Sequence, residues 1–180
     1  VLAAAIRGQA RFEQGRTLVV TGERAEESPS RARYRPIEPH RTDCSRRRVD
    51  HWRPVLGWAE GQVWDRIAVA MIRPHPAYSL GWSRLSCRAC IFGSPSQWAT
   101  IRALFPAIFA EVADLEARSG QTIQRAASVA ALADRGVPYP AALADPQLAA
   151  VACGDTWTLP VLQRPWRLPA GAFGEAAGPI

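Results

Sequence analysis

The sequence predicts an α/β fold that gives way to a helical C-terminal part. Three observations predict it: a helix, a glycine and a β-branched run follow one another near the N-terminus; apolar residues recur at helical spacing over residues 98–115; and alanine-rich helical stretches follow residue 126. With 180 residues, 48% of them hydrophobic, the chain is long enough for one domain with a substantial core and short for two full-sized ones.

Residues 1–12 mix alanine and other apolar residues with Arg7, Gln9 and Arg11, and read as a helix that ends before Gly15. Thr17 to Thr21, TLVVT, is a β-branched run of the kind that forms a buried parallel strand. Ligands of open α/β sheets bind outside the carboxyl ends of the strands, which makes the following TGERAEES the first candidate binding segment. Gly22 there lets backbone amides approach a ligand closely.

From Ser28 to Arg48, Pro29, Pro36 and Pro39 alternate with Arg31, Arg33, Arg35, Arg41 and Arg46 to Arg48. This is expected to be an exposed loop: a lid over an anionic substrate, a strip facing nucleic acid, or a solvated linker. RVDHWRPVLGW follows and, because it contains Pro54, reads as an edge or irregular strand. A helix is expected from about Ala59 to Ile72, with Val63, Trp64, Ile67 and Met71 on its core side. His51 and His75 flank it. Single histidines are more often packed or solvated than ligating, and spacing marks neither as catalytic.

The densest chemistry lies in RPHPAYSLGWSRLSCRACIFGSPSQWAT, Arg73 to Thr100. Cys87 and Cys90 have the spacing at which one tight turn aims two thiolates at a zinc ion or an iron–sulfur cluster. One such pair without a second also fits ordinary thiols with no metal, and Cys44 and Cys153 are the weaker further ligands. Ser94, Pro95 and Gln97 then provide an N-cap, a first-turn proline and a capping box, so a helix begins just after the cysteines. Its apolar face, from Trp98 to Leu115, is expected to be core, kinked or split at Pro106 and ended at Gly120. Ala126–Asp134 and Ala141–Val151 read as two more helices before a proline-bearing, loosely structured tail.

Net charge is +6, and all 22 basic residues are arginine. Guanidinium forks suit phosphate or sulfate, which points to an anionic partner; biased codon usage explains the missing lysine equally well. Four cysteines, unevenly spread, do not make the disulfide framework of a small secreted protein. Metal or redox use in a reducing cytoplasm fits them better. No apolar run approaches the ~20 residues of a membrane span, and no signal-peptide pattern is present.

Three blocks together resemble the phosphoadenosine phosphosulfate (PAPS) reductase family, in its phage and mobile-element branch of the PP-loop adenine-nucleotide superfamily. They are TGERAEESPSRAR (Thr21–Arg33), VDHWRPVLGWAEGQVWDRI (Val49–Ile67) and HPAYSLGWSRLSCRACIFGS (His75–Ser94). The resemblance implies a Rossmann-like doubly wound sheet binding ATP or a sulfonucleotide. It puts Thr21, Gly22, Arg24, Glu27, Ser28, Arg31 and Arg84 at the nucleotide and its phosphates, and Cys87 and Cys90 at a cysteine site. It also implies a domain over residues 1–125, followed by an Ala/Pro-rich helical extension over 126–180. A thioredoxin-like reductant or a nucleic acid is the implied partner.

The family's S-G-G-K-D-S phosphate loop and its first strand have no counterpart ahead of Thr17, so the domain is read as partial, either truncated on its N-terminal side or a degenerate member. Its E-C-G-[IL]-H cysteine motif is also missing; Cys153 stands in ACGDTW. Ala59 replaces a threonine helix cap, a loss of about 1 kcal/mol. The implied function is sulfonucleotide reduction or ATP-dependent sulfur transfer, with an iron–sulfur cluster or zinc on the cysteines. The competing reading is a non-catalytic, zinc-stabilised nucleic-acid-binding module closed by Cys44, Cys87, Cys90 and Cys153.

Overall fold

The computed structural model describes residues 1–85 and 87–174. The chain divides into two compact units, Val1–Val63 and Trp64–Ile180. In the first, helix α1 (Leu2–Gly8) and a 3-10 turn at Ala10–Phe12 lead to strand β1 (Arg16–Val20). Short 3-10 turns at Ala25–Glu27 and Arg31–Arg33 precede strand β2 (Ile37–Pro39), and β3 (Arg48–Trp52) follows. The sheet order is β1-β3-β2. β1 and β3 pair in parallel from Arg16↔Arg48 to Val20↔Trp52, and β2 lies antiparallel to β3. The result is a three-stranded mixed α/β sheet.

Side chains alternate across a strand, so Val19 and Val49, paired near one another, point the same way, onto Ile6 of α1 and the partly buried Phe12. Leu18, Val20, Ile37 and Trp52 are exposed. The TLVVT run is therefore parallel, as expected, but buried on one face instead of two, because within this unit apolar side chains pack against the Val19 face. The expected edge strand also changes place. β3 is central because it ends at Trp52, two residues before Pro54, so the proline removes no ladder donor. The arginine-rich stretch is likewise no featureless linker: it carries β2 and the second 3-10 turn.

Helix α2 (Glu60–Val69) lacks a hydroxyl cap at Ala59, and two other side chains replace it. The Glu26 carboxylate accepts from the Glu60 amide at 2.9 Å, and the Gln62 side chain accepts from the Ala59 amide at 2.8 Å. The helix stops short of the expected Ile72, at a left-handed Met71.

The second unit is helical, with α3 (Pro76–Ser79), α4 (Pro95–Leu104), α5 (Pro106–Ser119), α6 (Val129–Arg135), α7 (Pro140–Ala144) and α8 (Pro146–Ala152). Proline opens most of these helices, since its missing amide is one that the first turn leaves unpaired anyway. The Ser94–Gln97 capping box forms in both directions, at 3.2 Å each way. Pro106 separates α4 from α5, and α5 ends on Gly120 at a φ of 65°. Pro146 similarly splits the single helix expected over 141–151 into α7 and α8, with the Asp145 carboxylate accepting from the Leu148 amide.

Trp98, Ile101, Val129, Leu132 and Ala133 form the main core between α4 and α6, with Phe105, Phe109 and Val112 packed on it. The fully buried Thr100 hydroxyl bonds the Ser96 carbonyl and accepts from the Tyr139 amide, which ties α7 to α4. No helix among the described residues is long and apolar enough to cross a membrane.

The described part of the expected loose tail, up to residue 174, forms no helix or strand but is tied down by specific contacts. Leu162 bridges Ile72, the Gln163 amide bonds the Met71 carbonyl, and the Trp166 indole donates to the Ile72 carbonyl at 2.9 Å. The Gly171 amide bonds the Tyr78 carbonyl at 2.7 Å, and a Cβ at Gly171 would stand 2.1 Å from the Trp82 carbonyl oxygen. Backbone-to-backbone contact, invisible to residue patterning, docks this segment. Gly171→Ala is expected to destabilise the protein by about 1–3 kcal/mol. Urea unfolding measures this, and limited proteolysis should cut the variant in the tail before the wild type.

Candidate functional site

The parallel pairing of β1 and β3 brings Thr21, just past β1, beside His51. The Thr21 amide continues the ladder to the Trp52 carbonyl, and its Oγ1 lies 2.6 Å from His51 Nε2. Arg53 Nη2 lies 2.9 Å from His51 Nδ1. A guanidinium only donates, so Nδ1 accepts and the neutral ring carries its proton on Nε2, donating to Thr21. The Thr21 hydroxyl hydrogen is then directed to Glu23, whose carboxylate also stands 3.8 Å from Arg53 Nε. Burial acts to raise the Glu23 carboxyl. The Thr21 hydroxyl, the residue's own amide and the charge of Arg53 outweigh it and hold the group below the usual carboxylate range.

This ring of four side chains resembles a hydroxyl–histidine nucleophile pair only in composition. In such a pair Nε2 accepts the hydroxyl proton. Here Nε2 is the donor, so the ring fixes the backbone of Thr21–Glu23 and does not activate the hydroxyl. Arg53 itself is 5% exposed. It donates to Glu38 at 2.8 Å and to the Arg35 carbonyl at 2.9 Å, and its guanidinium lies over the Tyr34 ring.

Beyond Gly22 the loop is cross-braced. Arg24 pairs with Glu26 at 2.7 Å and Glu27 at 3.7 Å, and reaches the Trp58 carbonyl. Its side chain is only 15% exposed, so it holds the loop's shape. Arg31 pairs with Glu27, and its amide bonds Ser28 Oγ. With 42% of its side chain exposed, Arg31 is the guanidinium that a ligand can reach. Nothing lies within 4 Å of the place a Cβ would take at Gly22, so the backbone there is open to approach.

Thr21, Gly22, Arg24, Glu27, Ser28 and Arg31 thus share one loop of the first unit, whereas Arg84 lies in the second. Residue patterning left out Glu23, His51 as a partner of Thr21, and Arg53. The alternation of His51 and Arg53 on one strand face was the available signal, but their contact with Thr21 depends on strand register.

Among the described residues, the cysteines form no metal site within either unit. Cys44 belongs to the first unit, in a tight turn where its amide and carbonyl both pair with Arg47. Its thiol is held below the usual range, mainly by a hydrogen bond from the Arg46 amide. Cys87, Cys90 and Cys153 belong to the second unit. Among the described residues no group of three or more His, Cys, Asp or Glu side chains is placed to hold a metal ion. Among the described residues, the expected zinc or iron–sulfur centre therefore lacks the three or more convergent donors that it needs. Cys87 instead shares a cavity of about 290 Å³ with Cys153, His75, Arg84 and Arg88. His75 Nδ1 accepts from the Ala77 amide as the cap of α3, and Arg88 lies over the Phe105 ring.

Residues 7–92 match the family model of the phosphoadenosine phosphosulfate reductase domain. An "uncharacterized 37.8 kDa protein in gpa 5'region" of Escherichia phage 186 is 36% identical over 95 residues. That match covers 53% of this chain and 28% of the phage protein, so the chain spans well under two thirds of its relative. No solved structure matches.

The polar end of the sheet carries a pH dependence. His40, which meets the His51 ring edge-on at 5.5 Å, is held below its ordinary value of 6.5 by burial, then by its His51 neighbour and the charges of Arg41, Arg7 and Arg53. The unfolded chain therefore binds the proton more readily, and His40 contributes stability that is fully present above 6.5 and is lost as pH falls below it. The urea midpoint is expected to drop between about pH 7 and pH 5, and to drop less in His40→Gln, where that proton is absent.

Proposed function

We propose, from the premise that residues 7–92 of this chain belong to the phosphoadenosine phosphosulfate reductase domain family, that the loop after β1 binds the phosphate or sulfate end of an adenine nucleotide. The chain would serve as the nucleotide-binding part of a PAPS-reductase-like enzyme that reduces a sulfonucleotide or transfers sulfur at the expense of ATP. The observation carrying this reading is the loop itself: it leaves the carboxyl end of a parallel strand, its backbone is open at Gly22, and a partly exposed Arg31 is poised beside it.

Each residue has a distinct part in this reading. The Thr21–His51–Arg53–Glu23 ring sets the strand end, and Arg24 braces the loop through Glu26 and Glu27. Arg31 exchanges its Glu27 partner for a ligand oxyanion, with Ser28 Oγ alongside. Arg84, placed at the nucleotide by the family resemblance alone, lines the cavity of the second unit.

The three strands are, on this reading, part of a doubly wound sheet. The nucleotide-binding domain extends to about residue 125, and residues 126–180 form the extension, of which 175–180 lie outside the described residues. A reductase reaction needs an external thiol reductant of the thioredoxin kind. No step is assigned to a metal, since among the described residues no group of three or more His, Cys, Asp or Glu side chains is placed to hold one.

Charge-assisted hydrogen bonds are worth about 1.5–3 kcal/mol each. Arg31→Ala is therefore expected to weaken ATP or PAPS binding by roughly 10- to 100-fold in calorimetry, with little change in unfolding midpoint. Arg24→Ala is expected to lower both affinity and stability, because Arg24 acts through the loop. Unchanged affinity in both variants would refute the site.

A further inference from the structure

We infer that Cys87 and Cys153 are a dithiol pair that exchanges with small anionic disulfides inside the cavity of the second unit. The two residues are far apart in sequence. Cys87 sits in the loop after α3, and Cys153 caps the C-terminal end of α8, yet both line the same cavity of about 290 Å³. Both are exposed, so a ligand reaches both sulfurs.

The remaining lining selects the ligand. Among the described residues its ionisable members besides the thiols are His75, Arg84 and Arg88, with no carboxylate. Arg88 is held 4.8 Å from the centre of the Phe105 ring, which fixes one guanidinium at the wall. Trp82 and Phe105 give the cavity an apolar body behind these charges. A ligand that matches it carries carboxylates or other oxyanions on a small organic frame. The chemistry that two thiols facing one such space can perform is thiol–disulfide exchange. Cys90, three residues from Cys87, is absent from this lining, so proximity in sequence does not choose the partner.

The exchange balances without another reactant. Cys87, which stands between Arg84 and Arg88, loses its proton to solvent and attacks one sulfur of the ligand. The ligand S–S bond breaks, a mixed disulfide forms at Cys87, and the first ligand thiolate leaves and takes up a proton. Cys153 then loses its proton and attacks Cys87 Sγ, displacing the second ligand thiolate, which is protonated in turn. The two protein thiols are oxidised by two electrons to one disulfide, and the ligand disulfide is reduced to two thiols. His75 Nδ1 is occupied by the Ala77 amide, so in the neutral ring Nε2–H is the donor that remains for a departing thiolate. None of this depends on nucleotide binding by the first unit.

The test uses the full chain carrying Cys44→Ser, which removes the separately activated thiol of the first unit. It compares glutathione disulfide (anionic), 2-hydroxyethyl disulfide (neutral) and cystamine (cationic). Expected are about two equivalents of ligand thiol released per chain, a Cys87–Cys153 link in peptide mass spectrometry, and a rate with the anionic disulfide ~10-fold or more above the neutral one, cystamine being slowest. Cys153→Ser should stop at one mixed disulfide on Cys87 with one equivalent released. Arg84→Gln with Arg88→Gln should bring the three rates together. A Cys87–Cys90 link, mixed disulfides that never close, or cystamine reacting as fast as glutathione disulfide on the arginine-intact chain would each overturn the inference. The last comparison needs no variant that could misfold. Nucleotide affinity of the same protein, measured separately, tells failure here from failure of the first unit's site.

Discussion

A single buried guanidinium organises the functional end of the first unit. Arg53 contacts Glu38 on β2, His51 on β3, the Arg35 carbonyl before β2 and, at longer range, Glu23 beyond β1. The three strands have few residues and a small apolar core of Ile6, Val19 and Val49. Hydrophobic burial alone therefore gives weak specification of the loop at the strand ends. A charge withdrawn from water compensates only when its donors are nearly all engaged, and removing one partner from such a network typically costs about 3–5 kcal/mol. That cost favours one arrangement of β1, β2 and β3 over others. The unbonded Arg53 Nε and Glu23 Oε2, 3.8 Å apart, are the weakest link of the network.

The same network decides what the candidate loop can do. A histidine held as a donor toward Thr21 cannot draw a proton from it, so the ring braces the strand end and does not make the Thr21 hydroxyl a nucleophile. Farther along the loop, burial divides two arginines that look equivalent in the sequence. Arg24 is enclosed by Glu26, Glu27 and Trp58, and the same Glu26 carboxylate caps α2. Loop shape and helix start are thereby coupled through one carboxylate, which also offsets the missing cap at Ala59. Arg31 has one carboxylate partner and keeps its outer surface toward solvent.

The second unit solves a different problem, which is how to stop short helices in the right places. Proline and side-chain caps do so locally, and the α4–α6 core of Trp98, Ile101, Val129 and Leu132 holds the pieces together. Glu116 of α5 shows how the levels connect, since its carboxylate accepts from the Ile123 amide and from the Val129 amide at the start of α6. The tail is fixed by different means. Its contacts with residues 71–82 include main-chain hydrogen bonds, the Trp166 indole donor and the Arg73 Nε donor to the Pro160 carbonyl, and they require Gly171 to have no side chain.

Local chemistry was legible in the sequence wherever the deciding groups are neighbours along the chain. The β-branched run of β1, the Ser94–Gln97 capping box, the break at Pro106 and the stop at Gly120 all depend on backbone sterics or on partners within a few residues, and these are properties of the residues themselves. The family resemblance was legible for the same reason, because its motifs are contiguous. Long-range choices were not legible. That β3 lies between β1 and β2, that Arg53 completes a ring with Thr21, His51 and Glu23, that the tail docks, and that Cys87 shares a cavity with Cys153 all follow from strand register and helix packing. Residue types set which contacts each segment is able to make; only the closed chain, in which burial makes some of those contacts costly to leave unmade, decided among them.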